Sequence, residues 1–221
     1  MNTHREMTLE EALAAYQKRG EEAVLKNQSK TVGWIVLYND EKAHVTRDVK
    51  PHEYVDVLYN IPIYSWHKNK PARLLFCYDN GHVNVMCPQM LWKDKLRTTR
   101  LKQSGYNRNG CKLMRVFVCD KNDYIVICSR DSEGCSYIKA VSLDSRTVHG
   151  SMCAMGNIFV REGTPYRWMI VPAELKAWIH PIIMKHNDIG YPLDTFSRFQ
   201  DLVAFEQWAS TVTASPIVSI P

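Results

Sequence analysis

Residues 113–143 read LMRVFVCDKNDYIVICSRDSEGCSYIKAVSL, and this stretch decides the fold class. It holds three runs rich in apolar and β-branched residues, Leu113–Cys119, Tyr124–Ser129 and Cys135–Leu143, which short polar turns separate. Runs of this length between turn residues are typical of β-strands. We therefore expect a hairpin between the first two strands, and a third strand that extends them into an antiparallel meander or barrel-like sheet.

Strand patterns continue towards the N-terminus. Arg73–Tyr78 and His82–Met86 flank Asp79-Asn80-Gly81, which predicts another hairpin because Asn and Gly adopt positive φ at low cost. Tyr54–Tyr59 partly alternates apolar and polar side chains, and Pro62 is expected to limit any strand that continues. The middle of the chain is therefore predicted to be rich in β-structure.

Helical patterns occupy both ends of the chain. Thr8 and Glu11 have the spacing of a capping box, at the start of a helical segment that runs to about Asn27. Pro172 suits the first turn of a second helical region, and Asp194 to about Ser210 has the pattern of a last amphipathic helix. These patterns predict an α+β protein with an N-terminal helix, a central mainly antiparallel sheet and C-terminal helices.

The size and composition are those of an ordinary globular protein. The chain has 221 residues, of which 45% are hydrophobic and 23% are charged. We expect a single domain over residues 1–221, made of an N-terminal helical segment (1–28), a β-rich core (31–171), a helical end (172–210) and an extended tail (211–221).

The sequence favours a cytoplasmic location. It contains no run of about 18 apolar residues that would predict a transmembrane helix, and the charged start Met1–Glu6 does not resemble a secretory signal. The seven cysteines are an odd number and no two form a C-x-x-C pair. They are therefore predicted to be free thiols, packed as small core residues in a reducing compartment.

Positive charge is concentrated in one part of the chain, Lys93–Arg115, called here the basic segment. It contains eight basic residues and a single acid, Asp94, although the formal net charge of the whole chain is only +5. The rest of the chain is therefore net acidic. Such a concentration repels itself unless it is spread on a loop or offset by an anionic partner.

Nucleic acid is the partner that this segment favours. Each Lys or Arg placed on a phosphate releases a condensed counterion, and an aromatic side chain can stack on an unpaired base. The candidate contact residues are Lys93, Lys95, Arg97, Arg100, Lys102, Tyr106, Arg108, Lys112 and Arg115. A solvated loop, or a loop that docks on an acidic protein surface, is the alternative interpretation.

A local resemblance supports contact with nucleic acid. The sequence DNGHV at 79–83 and the sequence RLKQSGYNRNG at 100–110, followed by an apolar strand, resemble the small β-rich DNA-reading module that accompanies HNH homing endonucleases. The nuclease motif that should follow is absent from this sequence. The resemblance therefore implies contact with nucleic acid, and we transfer no activity from it.

A pair of histidines is the main catalytic candidate. His44-Val45-Thr46 and His149-Gly150-Ser151 both fit a loose H-x-[S/T] pattern, which resembles the two-histidine phosphoesterases. In that family one imidazole acts as base and the other as acid, while the hydroxyls bind the phosphate. Gly150 departs from the apolar residue usual at that position. The alternative is that both histidines are surface or turn residues.

A zinc site is the metal candidate. Cys77, His82 and Cys87 have the C-x4-H-x4-C spacing of the last three ligands of a zinc knuckle, but Leu74 occupies the place of the first ligand. Free thiols packed in strands are the interpretation that we favour, and no metal or other cofactor is expected.

The sequence as a whole favours a small nucleic-acid-binding protein, with enzyme activity undecided but not expected. It contains no glycine-rich phosphate loop, no dinucleotide motif and no H-E-x-x-H pair. Two alternatives remain open. One is a protein-interaction factor (an inhibitor, or a viral or assembly component) that docks its basic segment on an acidic partner. The other is a two-histidine phosphoesterase. DNA and RNA are not distinguished.

Overall fold

The computed structural model describes residues 7–27, 31–38, 43–46, 57–64, 72–86, 99–100, 111–144 and 156–213. For residues 20–27, 31–38, 43–46, 57–64 and 99–100 the description is of the backbone. Among the described residues, none of the helices is long and apolar enough to cross a membrane.

An N-terminal helix is followed by strands and then by a helical end. In chain order the elements are α1 (Leu9–Asn27), β1 (Thr31–Tyr38), β2 (Ala43–Thr46), β3 (Val57–Tyr64), β4 (Ala72–Tyr78), β5 (His82–Met86), β6 (Thr99–Arg100), β7 (Leu113–Asp120), β8 (Tyr124–Arg130), β9 (Ser136–Ser142), β10 (Asn157–Ile158), β11 (Thr164–Val171), α2 (Lys176–Ile179), β12 (Tyr191–Pro192) and α3 (Phe199–Thr213). Short 3-10 turns at Ala173–Leu175, His180–Ile182 and Leu193–Thr195 join the last elements. The predicted α+β class is confirmed.

Within the described ranges, the strands form three antiparallel sheets of four strands each. Sheet A has the order β3-β1-β2-β6, sheet B the order β10-β5-β4-β7, and sheet C the order β11-β8-β9-β12. The predicted β4–β5 hairpin is confirmed, and Gly81 in its turn has φ +81°, a conformation that glycine adopts without a steric cost.

The hairpin predicted between the strands at 113–119 and 124–129 is wrong, although both strands exist. β7 pairs with β4 in sheet B, whereas β8 pairs with β9 and β11 in sheet C. The Asp120–Asp123 turn is a corner at which the chain passes from one sheet to the other. Packing is the reason, because Phe117 of β7 and Ile125 of β8 enter the same core from opposite layers.

Sheets B and C pack face to face. Ile125 and Ile127 of β8 point into the core between the sheets, and each such buried side chain contributes about 1.5–3 kcal/mol of transfer free energy. The other buried members of this core include Leu75, Cys77, Val83, Val85, Val141, Leu143, Phe159 and Trp168. Leu74, Phe76 and Met86 are also fully buried, so the opposite face of sheet B is covered as well.

Helices cover the other face of sheet C. Val126 and Cys128, which alternate with the isoleucines along β8, pack in a second core with Trp178, Ile179 and Phe205 from the helical end. Because both faces of sheet C are covered, β8 is buried from Tyr124 through Ser129. The described layers are therefore sheet B, sheet C and helices.

Helix α1 begins with the predicted capping box. The Thr8 backbone N–H donates to Glu11 Oε2 at 3.0 Å, and the Glu11 N–H donates to Thr8 Oγ1 at 3.2 Å. These bonds satisfy two backbone donors that a helix start leaves without partners. The prediction at this position is confirmed.

Two boundaries differ from the sequence-based expectation. Helix α3 begins at Phe199 and not at Asp194, because Leu193–Thr195 forms a separate 3-10 turn that Phe196 ends in a non-helical conformation. Strand β3 continues through Pro62 to Tyr64. It lies at the edge of sheet A, where the missing N–H of a proline is tolerated.

Candidate functional site

Most of the basic segment lies outside the described residues. Lys93, Lys95, Arg97, Lys102, Tyr106 and Arg108 belong to that part. Arg100 is described by its backbone in β6, whereas Lys112 and Arg115 are described in full and both side chains are exposed. The structure therefore gives the position of the C-terminal end of the basic segment and of the backbone at Arg100.

The two described parts of the segment belong to different sheets. Arg100 pairs with His44 on the edge of sheet A, through the β2–β6 ladder. Arg115 pairs with Cys77 in the β4–β7 ladder of sheet B. The segment consequently connects one sheet to the other.

The β4–β5 turn anchors the C-terminal end of the basic segment. Asp79 Oδ1 accepts from the Lys112 backbone N–H at 2.9 Å, and the Asp79 N–H donates to the Lys112 carbonyl at 2.9 Å. The Asn80 side-chain amide donates to Cys111 Sγ at 2.8 Å. These contacts hold the chain in place where β7 begins.

Arg115 opens onto a cavity of about 410 Å³, called here the edge cavity. Its other lining residues are Met114, Tyr166, Arg167, Trp168 and Glu206. Its volume falls in the range of about 300–1,000 Å³ that is usual for small-molecule sites. Strand β7 is the edge of sheet B and β11 is the edge of sheet C, so the cavity lies where two sheet edges meet.

An ion pair forms one wall of the edge cavity. Arg167 Nε donates to Glu206 Oε2 at 3.0 Å, and Arg167 Nη2 donates to the same oxygen. The pair joins β11 to α3, and both side chains remain partly exposed, by 32% and 23%. The charged residues that line the cavity are Arg115, Arg167 and Glu206, so its described lining carries more positive than negative charge.

Trp168 lines the inner side of the cavity and belongs mainly to the core. Trp168 is 2% exposed and packs in the core between the sheets. Its indole Nε1–H has no hydrogen-bond acceptor in the described part of the chain. A buried donor without an acceptor costs about 1–3 kcal/mol of stability.

An exposed aromatic ring lies beside the cavity. Tyr166 is 43% exposed, and the Arg130 guanidinium lies 5.4 Å from the centre of its ring. Its hydroxyl is within hydrogen-bonding reach of Ser136. The ladder of β11 is irregular between Pro165 and Arg167, where Tyr166 lies. Such bulges re-aim side chains at sheet edges.

The predicted histidine pair is only partly described. His44 and Thr46 lie on β2, at positions that face Val36 and Trp34 of β1 in the ladder. His149 and Ser151 lie outside the described residues. The two-histidine hypothesis therefore stays a prediction.

The predicted zinc ligands do not converge as far as they are described. Cys77 faces Val83 across the β4–β5 ladder, which puts His82 on the opposite face of the hairpin, and Cys87 lies outside the described residues. Burial raises the pKa of the Cys77 thiol well above its ordinary value, which disfavours the thiolate that zinc requires. In the part of the chain that the structure describes, no group of three His, Cys, Asp or Glu side chains is placed to hold a metal ion.

The described cysteines are free thiols, and the predicted packing in the core is confirmed for three of these five. Cys77, Cys119 and Cys128 are buried, and Cys111 and Cys135 are more accessible. Burial raises the pKa of Cys128 to about 12, and it also raises the pKa of Cys119. Buried, protonated thiols of this kind are core residues and poor nucleophiles.

Sequence reasoning missed the members of the edge cavity that lie beyond the basic segment. A local signal exists in Tyr166-Arg167-Trp168, because an arginine between two aromatic residues interrupts an otherwise apolar strand. The partner Glu206 has no such signal, since it lies 39 residues from Arg167 and reaches it through folding alone.

Comparison with known proteins does not assign this chain to a group. No protein-family model matches the sequence, and no curated protein is similar enough to count as a relative. The function must therefore be argued from the residues themselves.

Proposed function

We propose that this protein binds nucleic acid through the basic segment and the arginines beside its C-terminal end. One observation carries the proposal: Arg115, the last residue of the segment, shares the edge cavity with Arg167 and Tyr166 from another sheet. A cation and an exposed aromatic ring thus extend the charged stretch beyond the residues that are contiguous in sequence. Cations beside aromatic rings suit a ligand made of phosphates and planar bases.

Counterion release accounts for the binding free energy. If five or six of the basic residues reached phosphates, the log–log salt slope would be roughly −4 to −5 on duplex DNA. The rest of the chain is net acidic, so the interaction depends on the basic segment and not on a general positive charge.

The anchored end of the segment favours binding. Asp79 and Asn80 already hold Cys111 and Lys112 in the free protein. Backbone that is ordered before binding does not lose its conformational entropy on binding. Lys112 and Arg115 are therefore presented at fixed positions, next to a segment that contributes the remaining charges.

Paired charge-removal variants test the proposal. The first variant, Lys112→Ala with Arg115→Ala, removes two exposed cations of the segment. The matched control, Lys176→Ala with Lys185→Ala, removes two exposed cations of the helical end. Fluorescence anisotropy with labelled DNA and RNA, titrated with salt, is the measurement.

We expect the first variant to make the salt slope shallower by about 2 units and the control to leave it unchanged. An equal loss in both variants would assign the binding to net charge and not to this segment. Absence of binding at low salt would refute the function and favour the acidic-protein partner, which retention of the chain on an immobilised acidic polypeptide would then support.

A further inference from the structure

The helical end crosses the outer edge of β9 in residues 184–190, called here the strap. Just before the strap, Ile183 forms a bridge to Ala140, and the Met184 N–H donates to the Ala140 carbonyl at 2.9 Å. Just after it, the two residues of β12 pair with β9. The strap is therefore fixed to sheet C at both of its ends.

The side chain of Lys139, which lies on β9 between these two attachments, holds the middle of the strap. Its Nζ donates to the His186 carbonyl at 3.1 Å and to the Asp188 carbonyl. Lys139 is only 2% exposed, whereas most of the strap is exposed, at Lys185, Asn187, Asp188 and Ile189. Backbone carbonyls of a surface segment therefore enclose a buried cation.

The charges around this ammonium group compensate its burial only in part. Among the described residues no carboxylate is hydrogen-bonded to it, and Asp188 favours its charged form through its charge alone. The Asp188 Oδ2 accepts from the Lys185 N–H at 3.0 Å instead. Across the ladder, the neighbour of Lys139 in β8 is the apolar Ile127. A buried ammonium without a paired carboxylate costs free energy, which its return to water would recover.

Little else holds the strap in place. All of its residues are described, and none of its side chains belongs to either of the two cores on the faces of sheet C. Segments with few buried apolar contacts open locally at a lower free energy than the whole protein. We propose that the strap opens as a unit while both cores stay folded, that opening moves the Lys139 ammonium into water and exposes the outer edge of β9, and that loss of the ammonium proton holds the strap closed.

Proton linkage gives the direction of the pH dependence. Burial lowers the pKa of Lys139 to about 8 in the closed state, whereas a solvated lysine has a pKa of about 10.4. Between these values the open state binds more protons, so raising the pH favours the closed state. From pH 7.5 to pH 9.5 we expect the open fraction to fall about 10–20-fold. This window also lies above the pH at which an ordinary histidine titrates.

Trypsin measures the opening in the full chain. Lys185 lies in the strap, and its peptide bond must leave the closed conformation to be cleaved. The bond after Arg161, in the exposed bend before β11, is the internal reference. The ratio of the two initial cleavage rates, obtained by mass spectrometry, cancels the pH dependence of the protease. In the wild type we expect this ratio to fall about 10–20-fold from pH 7.5 to pH 9.5.

Two variants distinguish Lys139 from other titrating groups. Lys139→Met has a side chain of similar length that does not titrate, so we expect its cleavage ratio to stay constant with pH. Asp188→Asn keeps an oxygen for the Lys185 N–H and removes the charge that favours the ammonium, so we expect the ratio at pH 7.5 to rise about 2–5-fold. The matched control is Asp194→Asn, which removes an exposed aspartate outside the strap and is expected to change nothing.

Each outcome supports or overturns the proposal. A ratio that stays flat with pH in the wild type, or falls equally in Lys139→Met, overturns it. Cleavage after Lys185 that rises with urea as steeply as global unfolding also overturns it, because the strap and the cores then open together. If Lys139→Met does not fold, the two aspartate variants decide, and equal ratios in both refute the proposal. None of these measurements involves nucleic acid, so the proposed function is tested separately.

Discussion

One arginine–carboxylate pair joins α1 to the turn before β8, and another joins β11 to α3. The surroundings of the two pairs differ. At the corner between β7 and β8, Asp123 accepts from Arg19 Nη1 at 3.1 Å and Nη2 at 3.3 Å. It also accepts from the backbone N–H groups of Asp120 at 2.9 Å and Ala173 at 3.2 Å. At the edge of β11, Glu206 accepts from Arg167 beside an open cavity.

The comparison shows that two ion pairs of the same chemistry differ in how completely the fold encloses them. The Asp123 side chain is 5% exposed, and its oxygens accept from groups on three different elements. The pair at the corner therefore stabilises the fold, and the Asp123 carboxylate has little hydrogen-bonding capacity left for a ligand. The edge pair remains partly exposed and lines the edge cavity.

The largest expected effect is at the corner. Asp123→Ala removes the acceptor of Arg19 and of two backbone N–H groups, so we expect a loss of about 3–4 kcal/mol in the free energy of unfolding. Urea denaturation monitored by circular dichroism measures it. Arg19→Lys serves as a milder companion variant, because it keeps the charge and loses the two-pronged contact. If Asp123→Ala lowered the free energy of unfolding by less than about 1 kcal/mol, the two pairs would not differ in their contribution to stability.

A buried lysine, to which no carboxylate of the described residues is hydrogen-bonded, extends the comparison. Lys139 lies on β9 and is 2% exposed, and its Nζ donates to the His186 carbonyl at 3.1 Å and to the Asp188 carbonyl. Burial lowers the pKa of Lys139 to about 8. The folded state therefore loses this proton at a lower pH than the unfolded state, in which a lysine has a pKa of about 10.4.

The sign of the pH dependence follows from proton linkage. Between about pH 8 and pH 10.4 the unfolded chain binds more protons at this lysine, so stability rises with pH in that window. We expect the stability of the wild type relative to Lys139→Met to rise by about 2–3 kcal/mol from pH 7.5 to pH 10.4. Using the difference between the two proteins cancels the opposite contribution of the buried cysteines. A flat difference would show that the folded lysine keeps an ordinary pKa.

The smallest expected effect is at the edge. Glu206→Gln keeps a hydrogen-bond acceptor for Arg167 and removes only the charge of a partly exposed pair, so we expect a stability loss below about 1 kcal/mol. Urea denaturation under the same conditions as for Asp123→Ala gives a direct comparison. A loss as large as that of Asp123→Ala would make the edge pair a structural element too.

Local sequence patterns predicted much of the fold. The capping box of Thr8 and Glu11 and the Asn80-Gly81 turn are confirmed, because each depends on groups within a few residues of one another. The pairing of β7 with β8 was wrong for the converse reason. A polar turn such as Asp120–Asp123 permits either a hairpin or a corner. The packing of the partly buried Phe117 and the buried Ile125 in one core selects the corner.

The candidate site likewise has one part that the sequence predicts and another that depends on the tertiary structure. The basic segment is visible in the sequence because its charges are contiguous, and its role in binding stays a prediction. The edge cavity is not visible there, since its walls come from β7, β11 and α3. Only Tyr166-Arg167-Trp168 carries a local trace of it.

By itself, the sequence determined where most strands and helices form, where positive charge accumulates, and that thiols such as Cys77, Cys119 and Cys128 are packed as core residues. These properties depend on side-chain chemistry and on spacing along the chain. The tertiary structure alone decided that β7 and β8 belong to different sheets and that Asp123 pairs with Arg19 at the corner between them. It also decided that Arg115, Trp168 and Glu206 line one cavity. Each of those depends on contacts between residues far apart in sequence, which packing of the sheets and helices determines.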